Sequence, residues 1–114
     1  MANTFKVVTK AGVTSADVIY TVAGSTTTVV LGLILGNTTS NSITATVTLG
    51  TDTANRAGAN NETNQDVELI TATPIPGNSS LELLSGNKVV METTDTLSVT
   101  GSAATDVVLS IMEI

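Results

Sequence analysis

Few side-chain types are available here for chemistry. There is no His, Cys or Trp among the 114 residues, so neither an imidazole base nor a thiolate nucleophile nor a soft metal ligand can be assembled. What remains is ten carboxylates, Lys6, Lys10, Lys88, Arg56, Tyr20 and a large stock of hydroxyls, 22 of them from threonine. A serine nucleophile would need one of those lysines or carboxylates as its base. The lysines fall in or beside stretches that read as strands with solvent-facing neighbours, and no glycine-rich phosphate loop is present. Glu82, Glu92 and Asp95 fall at expected turns and strand ends, where a carboxylate is ordinarily solvated. The sequence therefore predicts no enzyme, no catalytic residue and no cofactor.

Asp52, Glu62 and Asp66 bracket one polar stretch and would suit a hard cation, but their spacing matches no EF-hand or aspartate-rich repeat, so no metal is expected. Asn-x-Ser/Thr triplets at Asn37, Asn61 and Asn78 are what a chain so rich in Thr and Ser produces by chance. Sugar recognition on a sandwich relies on aromatic faces, and the only aromatics, Phe5 and Tyr20, fall on expected strands and are assigned to the core. A net charge of −6 and a pI near 4.1 oppose a phosphate backbone, so nucleic acid is not an expected partner. Residues 1–6 carry no basic stretch leading into an apolar one, and the longest apolar run is too short to span a bilayer. Neither a signal peptide nor a membrane segment is expected.

The elements that position these groups are strands. Ile43, Ala45, Val47 and Leu49 alternate with Thr44, Thr46 and Thr48, which predicts one core face and one threonine face. Leu97 and Val99 alternate with Thr96, Ser98 and Thr100 in the same way, and near the C-terminus Val107, Leu109, Ile111 and Glu113 alternate with Val108, Ser110, Met112 and Ile114. Further strands are expected over residues 5–9, 18–22, 27–35, 67–72, 81–84 and 88–92. Turn signals separate them at short spacing, among them Ala11-Gly12, Gly36-Asn37, Pro76-Gly77-Asn78 and Gly86-Asn87. Roughly nine short strands with such punctuation predict an all-β chain, a single antiparallel β-sandwich or jelly-roll-like domain over residues 1–114.

Two segments invite a functional reading. Val29, Val30, Leu31, Leu33, Ile34 and Leu35 are apolar on both faces of one expected strand, although an antiparallel sandwich strand needs only one apolar face. The second face is covered either by another part of the chain or by a neighbouring subunit, and the six residues are the candidate interface. Residues 50–65 form a long polar loop, either a solvated excursion or a contact arm carrying Asp52, Arg56 and Glu62.

The C-terminal half carries a resemblance. It runs Pro74-Ile75-Pro76-Gly77-Asn78-Ser79-Ser80-Leu81-Glu82-Leu83-Leu84, then Gly86-Asn87-Lys88-Val89-Val90-Met91-Glu92, then Asp95-Thr96-Leu97-Ser98-Val99-Thr100. It ends Asp106-Val107-Val108-Leu109-Ser110-Ile111-Met112-Glu113-Ile114. This order of turns and strands resembles small virion structural proteins of tailed bacteriophages, particularly marine and cyanobacterial ones. Residues 29–39 and 43–49 fit the same pattern more loosely. The resemblance implies a non-enzymatic β-sandwich subunit of a virion assembled in the host cytoplasm, most simply a capsid decoration (cement) protein. Its implied partners are the major capsid protein or other virion subunits, and further copies of itself as a dimer or trimer. A neck, tail or fibre-associated subunit fits the pattern as well, and a host-surface recognition module is the rival class.

Overall fold

In the computed structural model, residues 3–51, 65–84 and 86–114 are described. Among them the chain forms nine strands and no helix: β1 (Thr4–Val13), β2 (Ala16–Thr21), β3 (Thr28–Asn37), β4 (Ile43–Gly50), β5 (Asp66–Ile75), β6 (Ser80–Leu83), β7 (Val89–Met91), β8 (Thr96–Gly101) and β9 (Thr105–Glu113).

Their pairing follows from one long antiparallel hairpin. β4 pairs with β5, β3 with β6 and β7, β2 with β8, and β1 with β9, so the two halves of the chain run side by side and antiparallel. The ribbon then rolls on itself, because β9 also pairs with β3 and β8 with β4. Two sheets result, β1-β9-β3-β6 with β7 beside β3, and β2-β8-β4-β5. That order is a jelly roll, the double Greek key that hides most strand edges within two facing sheets. The expected all-β antiparallel sandwich is the observed fold.

Alternate residues of both sheets fill the space between them. Leu33, Leu35, Leu109 and Ile111 come from one sheet and Val47, Leu97 and Val99 from the other, each at most 1% exposed. Each such side chain contributes roughly 1.5–3 kcal/mol of burial free energy. The alternation of residues 43–49 is realised as expected, with Ile43, Ala45 and Val47 buried and Thr44 exposed.

β3 carries a bulge. Its register with β9 slips between Val30 and Gly32, leaving Leu31 as the extra residue. Thr28 and Val30 face inward before the bulge, and Leu33, Leu35 and Asn37 after it. One apolar run therefore supplies core residues in two phases.

A buried side-chain amide helps tie the turn between β3 and β4 to the turn between β5 and β6. Asn37 Nδ2 donates to the carbonyls of Asn41 (2.7 Å), Ile75 (3.0 Å) and Pro76 (3.1 Å), while Oδ1 accepts from the amide and hydroxyl of Thr39. Gly77 lies so close beneath that a Cβ there would overlap the Ser40 carbonyl. Glycine is required by the close approach rather than by its dihedral angles.

Two residues depart from expectation. Phe5, assigned to the core, is 71% exposed, because Val7 and Val8 are both apolar and it is Val8 that turns inward. Asp95, expected in solvent, is buried, and its Oδ2 accepts the Glu92 amide proton at 3.0 Å within the β7–β8 turn.

Candidate functional site

The outer faces of the two sheets differ in chemistry. On the β2-β8-β4-β5 sheet, the register aligns Ala16, Thr100 and Thr46 in one row, and Val18, Ser98, Thr48 and Glu68 in the next. Apart from Val18, this face is hydroxyl-rich and needs only water.

The β1-β9-β3-β6 sheet carries an apolar patch on its outside as well as an apolar inside. One row across it is Phe5, Met112, Val29 and Val90, and another is Thr9, Val108, Ile34 and Glu82, with Val7, Ser110 and Gly32 between them. Phe5 is 71%, Val7 62%, Val90 59% and Ile34 40% exposed. No described strand packs across this face. An exposed apolar patch of this kind is a candidate contact surface.

The six residues of the candidate interface are divided by the bulge. Val30, Leu33 and Leu35 are buried in the core, whereas Val29, Leu31 and Ile34 are partly buried or exposed. The outward set is completed by β1, β7 and β9, whose contributions depend on register and not on local sequence. Asp52, Arg56 and Glu62 lie outside the described residues.

The face has a depression of about 220 Å³, lined by Gly32, Leu33, Ile34, Glu82 and Leu83. It arises where β6 ends at Leu83 and β7 begins at Val89, so that among the described residues β3 has no strand partner on that side between the two. Gly32 at its floor has open space where a Cβ would be.

A second group of polar side chains closes the edge of the sandwich between β1 and β2. Glu113 continues the inward phase of Leu109 and Ile111, and its carboxylate meets Lys6 Nζ at 2.6 Å. Tyr20 donates to the other carboxylate oxygen at 2.6 Å and lies 2.7 Å from the buried Thr28 hydroxyl, which donates to it. The Lys6 ammonium, and then the Tyr20 hydroxyl, hold the Glu113 carboxyl below its ordinary range. Burial, and then the hydrogen bond to Glu113, push the Tyr20 phenol up. Four strands are joined by this cluster, and every group in it has its partner. Its placement was available from alternation, because Glu113 shares the phase of Val107, Leu109 and Ile111.

Among the described residues no group of three or more carboxylates converges as a metal site would require. Ser85-Gly86-Asn87-Lys88 has the serine–lysine spacing of some acyl-transfer enzymes. There a helical turn brings two such side chains together, whereas here Gly86 has φ +80° and Lys88 leads into β7. Ser85 itself lies outside the described residues. No helix among the described residues is long and apolar enough to cross a membrane.

No protein-family model, curated protein or solved structure matches the chain.

Proposed function

We propose that the chain is a non-enzymatic structural subunit that assembles through the outer face of the β1-β9-β3-β6 sheet. More specifically, it is a virion protein of a tailed bacteriophage, of the decoration type that binds the outer surface of the head. The observation that carries this reading is the contrast between the faces: one sheet exposes threonines, the other Phe5, Val7, Ile34 and Val90. A jelly roll that buries its own core has no folding requirement for that second apolar surface.

The acidic charge of −6 supports an exterior position, since it repels packaged nucleic acid. Many modest contacts repeated over a lattice hold by avidity, so the face need not be large. The test is to mix the purified protein with expanded empty heads of a tailed phage and sediment the mixture. Saturation at a fixed ratio to the major capsid protein is expected. Absence of binding overturns the head location and moves the subunit to the neck, the tail or a host-surface role.

A further inference from the structure

We infer that the occupant of the apolar face is a second copy of this chain, related by a two-fold axis lying in the plane of the interface. This inference rests on the reading of that face as an assembly surface.

The face carries a knob and a hole. Phe5 stands out from β1 at 71% exposure, in the row with Met112 and Val29. The depression at Gly32 and Ile34 lies on the far side of β9, between β3 and the end of β6. Its 220 Å³ exceeds the ~150 Å³ of an engineered apolar cavity that binds benzene, so a phenyl ring fits. A two-fold axis in the plane, midway between knob and hole, sends each Phe5 into the other copy's depression. An isologous interface has this property, that residue i meets j while j meets i. The ring would then lie over Gly32, where the missing side chain leaves the space, beside the apolar edge of Ile34.

The size of the face is compatible with such a pair. Four strands about 4.8 Å apart, with nine residues along β9 at about 3.3 Å each, give about 550 Å² per copy. Two copies then bury about 1,100 Å², the low end of a specific interface, so a reversible, concentration-dependent dimer is expected.

Sedimentation velocity over a wide concentration range tests the inference, using the intact chain and the variants Phe5→Ala and Gly32→Leu. Both variants should keep the parent melting temperature at concentrations where the parent is monomeric, since Phe5 is exposed and Gly32 has open space above it. Each alone should dimerise more weakly by on the order of tenfold or more. An equimolar mixture should recover a heterodimer, because the Gly32→Leu copy supplies a ring and the Phe5→Ala copy supplies an empty depression. The inference is overturned by a parent that stays monomeric, by a higher oligomer, by variants that dimerise like the parent, or by a mixture no tighter than either variant. Binding to empty heads is scored separately. A monomer that binds heads contradicts only the dimer, and a dimer that ignores them contradicts only the head location.

Discussion

Two neighbouring residues of β3 show how the two sides of one sheet divide the labour. Leu33 is 1% exposed and packs against the opposite sheet, while Ile34 is 40% exposed on a face that no described strand covers. On the other sheet the corresponding step, from Val47 to Thr48, goes from buried valine to a threonine in a hydroxyl row. A sandwich is stable with the second arrangement on both sheets. On the proposed reading the first answers a demand from outside the fold, at the outer face of the β1-β9-β3-β6 sheet.

The largest effect should come from the inward phase. Leu33→Ala is expected to cost about 2–5 kcal/mol in denaturant unfolding, and Leu33→Asp to prevent folding. Ile34→Asp, one residue along, should change stability by no more than about 1 kcal/mol. Equal losses at the two positions would erase the distinction between the faces.

Next is the clamp that fixes the ends of the sheets against each other. Asn37→Ala removes the donor shared by three carbonyls and should cost about 2–3 kcal/mol by chemical denaturation. A loss under about 0.5 kcal/mol would mean that water replaces the amide at no cost.

The edge cluster comes third. Tyr20→Phe should cost about 1 kcal/mol, measured by thermal unfolding near neutral pH. Because the folded chain keeps Glu113 ionised to lower pH than the unfolded chain, its contribution is complete above the ordinary value of 4.5 and is lost as pH falls through the lowered folded value. Glu113→Gln should flatten that acid limb. Tyr20 has the opposite sign: its contribution is complete below the ordinary value of 10.0 and is lost as pH rises through the raised folded value. Tyr20→Phe should flatten the alkaline limb.

The smallest effect on stability is expected on the threonine face. Thr48→Val with Ser98→Val, adjacent in one row, should shift stability by only about 0.5 kcal/mol. The pair should nonetheless reduce solubility, measured as the concentration at which the protein precipitates, because the second sheet then gains an apolar strip of its own.

Period-two alternation made the inner faces legible. Residues 43–49 and 96–100 declare their buried positions because apolar and hydroxyl residues take strict turns. Alternation does not declare partners, so the jelly-roll order and the outer rows had to come from the register of strands far apart in sequence. The bulge at Leu31 was not legible, because an extra residue inside a wholly apolar run leaves no polar marker of the change of phase. That is why Val30, Leu33 and Leu35 looked equivalent to Val29, Leu31 and Ile34 as interface residues. Phe5 was misplaced for the same reason, since Val7 and Val8 offer either phase. Asp95 was misplaced because its burial depends on the Glu92 amide across a tight turn.

The outer face of the β1-β9-β3-β6 sheet is proposed as an assembly surface and not as part of the folding core. Light scattering of the intact chain and of Ile34→Asp over increasing concentration, with the melting temperature of each, tests it most directly. The intact chain should associate, while Ile34→Asp should melt within a few degrees of it and stay monomeric. An Ile34→Asp chain that unfolds, or that associates as the intact chain does, would contradict it.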